Sequence, residues 1–261
     1  MMPELIRRAS KSFASRVLAA ALCTIAGMTE GISAAEVRAA VAANFTGAAR
    51  EIGDAYAKAS GNTVIFSFGS TGQLYTQITQ GAPFDVFLAA DAKRPADAIA
   101  AGHGMAGTRF TYSIGRLALY SRKPGLVHGP ETLRAGNFSK LAIANPVTAP
   151  YGAAAIEVMS KLGLRATLKS KLVQGANIAQ TYQFVSTGNA ELGFVAFSQI
   201  TGSEGGSRWL VPGEFHTPIA QDAVLLARGA NNPAARAFLD FLKESQALKI
   251  IERYGYSAGK P

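Results

Sequence analysis

Short apolar runs alternate with amphipathic stretches along this chain, and this alternation restricts the possible fold more than any other feature of the sequence. The apolar runs fit buried strands, and the stretches between them fit helices with one apolar face. The predicted strands are 37–44, 62–67, 84–90, 141–145, 172–175 and 192–198, and the predicted helices are 47–59, 73–80, 93–101, 153–162, 179–187, 233–243 and 245–254. Because strands separated by helices pair in parallel, we predict an α/β fold with mostly parallel sheets flanked by helices.

Two longer β runs, 110–121 and 217–227, have no helix inside them. They are the candidates for two crossings of the chain between lobes, which predicts one lobe from 36–114 plus 225–261 and a second from 115–224. The chain is 48% hydrophobic and 16% charged, which excludes a disordered protein and provides enough apolar surface for a core in each lobe.

Residues 1–35 have the composition of a secretory signal. The basic residues of this leader are Arg7, Arg8, Lys11 and Arg16. They precede an apolar run at 17–28 that is too short to span a bilayer. Small residues end the leader at Ala35, so we predict cleavage after Ala35 and export to the periplasm. An uncleaved membrane anchor is the alternative interpretation.

The formal net charge is +9, from 26 Lys and Arg against 17 Asp and Glu, which raises the question of nucleic-acid binding. Without the leader the balance is 22 basic and 15 acidic residues, a net +7. The basic residues are dispersed, and the group from Lys161 to Lys171 is interrupted by apolar residues, so we expect no nucleic-acid partner.

The single cysteine, Cys23, lies in the leader, which excludes disulfides and thiolate catalysis from the mature chain. Leu22 precedes this cysteine and is a poor match to the lipobox of a lipoprotein signal, so we do not predict a lipoprotein.

The sequence contains no Walker loop, no G-x-G-x-x-G after a strand, no G-x-S-x-G and no H-E-x-x-H. Its three histidines, His103, His128 and His216, have no carboxylate or second histidine at metal-ligand spacing. We therefore expect that the protein is not an enzyme, binds no cofactor and has no residue that coordinates a metal ion directly. Asp91 precedes a predicted helix, where capping explains it.

Polar loops follow four of the predicted strands, and each of them opens a predicted helix. These loops are 42–47, 68–73, 145–152 and 175–180, and they contain small, hydroxyl and amide side chains without Lys or Arg. Ligands of open α/β sheets bind beyond the carboxyl ends of strands, where a helix N-terminus offers unpaired N–H groups to an anion. Ordinary helix capping would explain one such loop alone. Four of them, two in each predicted lobe, favour a shared anion site.

Several sequence motifs, at these loops and elsewhere in the chain, resemble those of one protein family. They are VAANF (41–45), FGSTGQL (68–74), QITQGAPFDVFLAAD (77–91), RFTYSIGRLALYS (109–121), IANPVTAPYG (143–152), LGFVAFSQI (192–200) and IIERYGY (250–256). The chain resembles the periplasmic molybdate-binding proteins of bacterial ABC transporters over nearly all of its predicted mature length. The resemblance implies a two-lobed, type II periplasmic binding protein fold that closes on a tetrahedral oxyanion, molybdate or tungstate, and delivers it as a monomer to a membrane permease.

In the first lobe, the resemblance implies two pairs of site residues. Asn44 matches the ligand position of the first loop, where the family uses a polar side chain and backbone N–H groups. Ala43 precedes it, at a position that is hydroxylated in some members, so only its backbone remains. The hydroxyl donor of the second loop falls on Thr71, with Ser70 beside it.

In the second lobe, the resemblance places Tyr151 and Ile178 at the site, with their backbone N–H groups as the expected donors. One branch of the family also uses a tyrosine hydroxyl just after the L-G-x-V strand, and this chain has Ala196 there. That donor is missing, so the chain resembles the branch that compensates with side chains of the first lobe.

The four loops also bear on which anion is selected. Phosphate carries a proton part of the time at neutral pH, and a carboxylate in the site can accept a hydrogen bond from that proton. A fully deprotonated oxyanion needs only hydrogen-bond donors. The loops contain no Asp or Glu, which favours molybdate or tungstate, with sulfate or another small oxyanion as the alternative. An exported enzyme acting on anionic substrates is less favoured, because Ser70 and Thr71 have no histidine in their predicted loops.

Overall fold

The computed structural model describes residues 34–258, so the predicted leader lies outside the described residues except for its last two positions. The strands are β1 (Glu36–Ala42), β2 (Thr63–Gly69), β3 (Val86–Leu88), β4 (Phe110–Gly115), β5 (Leu117–Ser121), β6 (Leu141–Ala144), β7 (Leu172–Gly175), β8 (Leu192–Ala196), β9 (Ser207–Leu210), β10 (Ile219–Leu225) and β11 (Ser257–Ala258). The α-helices are α1 (Thr46–Ser60), α2 (Thr71–Thr79), α3 (Lys93–Ala100), α4 (Glu131–Ala135), α5 (Pro150–Lys161), α6 (Arg165–Leu168), α7 (Ile178–Ser186), α8 (Pro233–Phe241) and α9 (Ser245–Arg253). In this part of the chain, no helix combines the length and the apolar character needed to cross a membrane.

The first sheet has the strand order β11-β4-β10-β3-β1-β2. Its β1 strand pairs in parallel with β2 and β3, whereas β10 is antiparallel to β3 and β4, and β11 is antiparallel to β4. Helices α1, α2, α3, α8 and α9 pack on this sheet or on one another. We call this sheet and its helices the first lobe.

The second sheet has the order β7-β6-β8-β5-β9. Strand β6 is parallel to β7 and β8, and β5 is antiparallel to β8 and β9. Helices α5 and α7 pack against its strands, and we call this half the second lobe. Its apolar core includes Leu119, Ile143 and Phe194, all fully buried.

The chain passes between the lobes at two places. The predicted β run 110–121 divides at Arg116, with β4 in the first sheet and β5 in the second. The return falls between β9 and β10, because β10 pairs throughout with strands of the first sheet. The predicted boundary at 224 instead assigns most of β10 to the second lobe, so it lies several residues too late.

The prediction of mostly parallel sheets needs a correction, because both sheets are mixed. The physical reason is the pair of crossings. The chain leaves the first lobe along β4 and returns along β10, and two neighbouring strands that carry the chain in opposite directions must pair antiparallel. The parallel pairs predicted from strand–helix alternation are those of β1 with β2 and β3, and of β6 with β7 and β8.

Helix α1 shows why these sequences form these elements. Its buried positions include Ala48, Ala49, Ile52 and Tyr56, which follow the helical repeat and face the first-lobe core. The helix ends at Gly61, whose φ of 73° is a left-handed conformation that glycine adopts without steric cost.

Candidate functional site

Four strand-to-helix segments meet at one small cavity between the lobes. The first follows β1 as a 3₁₀ turn over Ala43–Phe45, the second opens α2, the third opens α5 and the fourth opens α7. The cavity is small, with a volume of about 10 Å³. Its lining residues are Ala42, Ala43, Asn44, Gly69, Ser70, Thr71, Ala90, Ala149, Pro150, Tyr151 and Ile178.

The structure therefore brings all six residues predicted from the sequence to the same cavity. They are Ala43, Asn44, Ser70, Thr71, Tyr151 and Ile178. Among these described lining residues there is no Lys, Arg, Asp, Glu or His. What the lining offers a ligand is thus N–H and O–H dipoles without a formal charge.

Two of the helices begin at the cavity without a side-chain cap. Ser70 precedes α2 and Ala149 precedes α5, and neither side chain accepts a bond from the helix that follows. Because Pro150 has no N–H, the first N–H of α5 belongs to Tyr151. The Thr71 N–H of α2 and the Tyr151 N–H of α5 thus stay free of a capping side chain, at the positive end of each helix dipole, which favours an anion.

Helix α7 differs because Asn177 caps it. The Asn177 Oδ1 atom accepts hydrogen bonds from the N–H groups of Ala179 and Gln180, each at 3.0 Å. This cap leaves the N–H of Ile178, the first residue of the helix, outside the capping interaction. The capped helix therefore still presents one main-chain donor at the position that the sequence predicted.

The two predicted hydroxyls are used differently. The Thr71 hydroxyl accepts a hydrogen bond from the Ala90 N–H at 3.0 Å, which leaves its own proton available to a ligand. The Ser70 hydroxyl donates to Gln73 Oε1 at 2.8 Å, so its proton is engaged inside α2. Of the pair, Thr71 is the residue whose O–H can serve an anion. Helix α2 begins at Thr71 and not at Gln73 as predicted, so Thr71 is its first residue and Ser70 immediately precedes it.

Asn44 is almost fully buried, and its side chain is committed to the protein. The amide Nδ2 donates to Gln221 Oε1 at 2.9 Å and to the Tyr256 hydroxyl at 3.1 Å. The main-chain oxygen of Asn44 accepts from the Tyr256 hydroxyl at 2.7 Å and from Ser198 Oγ at 2.9 Å. The sequence predicted a side-chain donor here. In the structure, both amide hydrogens point into the network, so the donor that remains for an anion is the main-chain N–H.

Gln221 is the centre of this network, and sequence analysis did not single it out. Its side chain is fully buried in β10. The Oε1 atom accepts from Asn44 Nδ2 and lies 3.1 Å from the Tyr112 hydroxyl, while Nε2 donates to the Tyr151 hydroxyl at 3.1 Å. The residue lies in the apolar run IAQDAVL, where a buried glutamine cannot be distinguished from one that faces solvent. Its partners are distant in the chain, and only the fold brings them together.

Three buried tyrosines belong to this network. Burial raises the pKa of Tyr112 and of Tyr151 well above the ordinary tyrosine value, and it also raises the pKa of Tyr256. Hydrogen bonds from Ser198 and Asn44 act against the rise at Tyr256. All three hydroxyls therefore stay protonated and neutral at physiological pH, and the site does not acquire a negative charge from them.

Other residues singled out in the sequence take structural roles. Asp91 Oδ1 accepts the Arg94 N–H at 2.8 Å, as expected of a residue that caps the start of α3. His216 is buried, with Nδ1 2.8 Å from the Thr217 oxygen. In residues 34–258, no group of three or more His, Cys, Asp or Glu side chains is arranged to hold a metal ion. Ala196 is buried and does not line the cavity.

Comparison with known proteins identifies the family. The sequence model of the bacterial extracellular solute-binding proteins matches residues 37–257. The molybdate-binding protein ModA of Rhodobacter capsulatus is 53% identical over 241 residues, covering 92% of this chain and 96% of the relative. ModA of Azotobacter vinelandii is 54% identical over 227 residues, covering 85% and 90%. This chain belongs to the bacterial extracellular solute-binding proteins, on the molybdate-binding branch of that family.

Solved structures agree with this assignment. The periplasmic molybdate-binding protein of Azotobacter vinelandii superposes with a TM-score of 0.83 at 36% identity, covering 86% of this chain and 100% of that one. This match confirms the predicted two-lobed, type II periplasmic binding protein fold. The sulfate-binding protein SubI of Mycobacterium tuberculosis has a TM-score of 0.71 at 14% identity, covering 87% of this chain and 88% of that one. At that identity the likeness is one of fold. The relatives in this family are solute-binding transport proteins, not enzymes.

Proposed function

We propose that this chain is an exported solute-binding protein that captures molybdate, and also tungstate, in the cavity between its lobes. In the proposal, the leader is cleaved after Ala35, and the mature protein works as a monomer in the periplasm and delivers the anion to the permease of an ABC transporter. It catalyses no reaction. The names of the relatives support molybdate as the ligand.

The observation that carries the proposal is the uncharged, donor-rich lining of the cavity. Thr71 supplies a free hydroxyl proton, and the segments at Asn44, Thr71, Tyr151 and Ile178 supply main-chain N–H groups at helix starts. Each hydrogen bond to a charged group contributes about 1.5–3 kcal/mol, so several of them can hold a desolvated dianion without a Lys or Arg. Two of these four residues lie in the first lobe and two in the second, so the anion is held best when the lobes are closed.

The same lining explains selection among anions. Phosphate at neutral pH carries a proton part of the time and needs an acceptor, and the described lining residues include no carboxylate. Sulfate has the right charge and shape but is smaller than molybdate, so cavity size must separate these two. Molybdate and tungstate are nearly isosteric, so we propose that the site accepts both.

Isothermal titration of residues 36–261 with molybdate, tungstate, sulfate, phosphate and chromate tests the proposal. We expect tight 1:1 binding of molybdate and tungstate, with sulfate much weaker and phosphate weakest. A thermal-shift series should agree, because a ligand that binds only the folded state raises its Tm. Preference for sulfate over molybdate would favour the alternative of a sulfate-binding protein, and absence of binding to any of these anions would overturn the proposal.

The finer parts of the proposal need measurements of their own. Light scattering during size-exclusion chromatography tests the monomer, with and without molybdate. Mass determination of protein secreted to the periplasm tests cleavage after Ala35. Molybdate-loaded protein should stimulate ATP hydrolysis by its permease in proteoliposomes, and ligand-free protein should stimulate it less.

A further inference from the structure

Gln221 links the two halves of the candidate site. It lies in β10, the strand that brings the chain back to the first lobe, and its side chain is fully buried. On the first-lobe side it accepts a hydrogen bond from Asn44 Nδ2 at 2.9 Å. On the second-lobe side it donates to the Tyr151 hydroxyl at 3.1 Å. Asn44 and Tyr151 both line the cavity, so one side chain contacts a binding segment of each lobe.

The orientation of the Gln221 amide is fixed by its surroundings. Its Oε1 atom accepts a hydrogen bond from Asn44 Nδ2 and lies 3.1 Å from the Tyr112 hydroxyl, which also lies 3.0 Å from the Ala89 oxygen, whereas its Nε2 atom donates to the Tyr151 hydroxyl. A buried amide that lost these partners would retain unsatisfied polar atoms, which is costly. The amide therefore resists rotation and holds Asn44 and Tyr151 at a fixed separation.

Gly115 gives independent support, since it keeps space for this contact. It is the last residue of β4, next to the first crossing between the lobes. A Cβ atom at position 115 would lie 2.2 Å from the Tyr151 hydroxyl oxygen and 2.5 Å from Gln221 Nε2. Both distances are far below van der Waals contact, so only glycine at this position allows the two groups to meet as they do.

We propose that Gln221 is a positioning residue of the oxyanion site. It fixes the Asn44 segment of the first lobe and the start of α5 in the second lobe relative to each other, so that their main-chain N–H groups converge on the same ion. The inference rests on the proposed function, because it assigns Gln221 a role in binding the anion that this site takes. Gln221 does not contact the ion itself, since it does not line the cavity.

Three variants and one control test this role. Gln221→Met keeps the side-chain volume and removes the amide, Tyr151→Phe removes only the hydroxyl and keeps the main-chain donor, and the third variant combines both changes. The control is Tyr56→Phe, because the Tyr56 hydroxyl is also buried and donates to the Ala234 oxygen at 2.8 Å, in a part of the first lobe that does not line the cavity. Each protein is titrated with molybdate, its ligand-free Tm is measured, and small-angle scattering follows compaction when molybdate is added.

We expect Gln221→Met to weaken molybdate binding about 10–100-fold and Tyr151→Phe about 3–10-fold, with the double variant close to Gln221→Met because both changes break the same contact. Compaction on adding molybdate should be smaller in Gln221→Met than in the wild type. Tyr56→Phe should lower the ligand-free Tm and leave the molybdate Kd within about twofold.

The outcomes separate the inference from the function. If the wild type binds molybdate and Gln221→Met binds it equally well, the inference is overturned, even if the variant has a lower Tm. Independent effects that multiply in the double variant also overturn it. If Gln221→Met does not fold, Tyr151→Phe decides the question. An unchanged molybdate Kd in Tyr151→Phe rejects the inference. A higher molybdate Kd in Tyr151→Phe, with normal compaction of the control Tyr56→Phe, supports it. A wild type that does not bind molybdate overturns the proposed function, and the inference with it.

Discussion

The guanidinium group of Arg94 reaches from α3 in the first lobe to the main-chain oxygen of Val147 in the second, 2.9 Å away. Arg94 also forms an ion pair with Asp91, which holds the guanidinium in place. Beside this contact, the Gly72 N–H donates to the Thr148 oxygen at 2.8 Å. Two hydrogen bonds thus join the helix starts of the first lobe to the loop that precedes α5, next to the cavity, and they stabilise the closed arrangement of the lobes.

Replacing Arg94 with Met should weaken this closure. The change removes the donor to Val147 and leaves the anion-binding donors in place, so the lobes should open more readily and release the anion sooner. We expect the molybdate dissociation rate to rise about 3–10-fold, a modest effect because the contact is partly exposed to solvent. The rate is measured by exchange of bound molybdate against excess tungstate.

Lys93→Met is the matched control for that experiment. Lys93 precedes Arg94 in the same helix and pairs with Asp97, and its side chain is 79% exposed. The control removes the same formal charge without touching Val147. Equal effects of the two substitutions would show that long-range attraction of the anion matters here and that the Arg94 contact does not.

Thr71 provides a direct test of the hydroxyl donor. Thr71→Ala should weaken molybdate binding by about 1–3 kcal/mol, because a hydrogen bond to a charged group is lost. Thr71→Ser keeps the hydroxyl and should recover most of the affinity. Titration calorimetry on both variants measures the two Kd values, and equal affinity of Thr71→Ala and the wild type would remove Thr71 from the site.

Much of this site could be predicted from the sequence because it depends on local rules. Loops that follow parallel strands and open helices meet at one edge of a sheet, so residues such as Thr71 and Tyr151 could be placed together. The use of each side chain could not be predicted in this way. The Asn44 amide turns toward Gln221, which is 177 positions away in the chain, and no local pattern encodes such a contact. The mixed sheets were missed for a similar reason, since strand–helix alternation contains no information about where β10 returns.

Asn44→Ala should reduce both stability and affinity. The change leaves Gln221 Oε1 and the Tyr256 hydroxyl without the donor that they share in a buried region. We expect the free energy of unfolding of the ligand-free protein to fall by about 1–3 kcal/mol, and molybdate binding to weaken by a similar amount because the segment loses its fixed position. Urea unfolding and calorimetry measure the two effects separately.

Asn189→Ala is the control for Asn44→Ala. Its side-chain amide donates to Thr187 Oγ1 at 3.1 Å on an exposed turn of the second lobe. The substitution removes an asparagine side chain and its hydrogen bond without opening a buried gap, so it should change neither quantity by more than about 0.5 kcal/mol. If Asn44→Ala behaves like this control, the buried network does not support the site.

The three buried tyrosines predict how stability depends on alkaline pH. Burial raises the pKa of Tyr112, Tyr151 and Tyr256 in the folded protein, whereas unfolded tyrosine titrates near pH 10. Their contribution is therefore fully present below about pH 10. Above that pH the unfolded chain loses protons that the folded chain keeps, so the free energy of unfolding falls, by up to about 1.4 kcal/mol per pH unit for each tyrosine.

Tyr256→Phe isolates this effect from the titration of other groups. The variant has one fewer buried hydroxyl, so its free energy of unfolding should fall less steeply than that of the wild type between about pH 10 and 11. Urea unfolding at several pH values from about 8 to 11 measures both slopes, and the difference between them excludes the lysines, which the two proteins share. Parallel curves would mean that the Tyr256 hydroxyl has the same pKa in the folded and unfolded protein, which contradicts its place in the buried network.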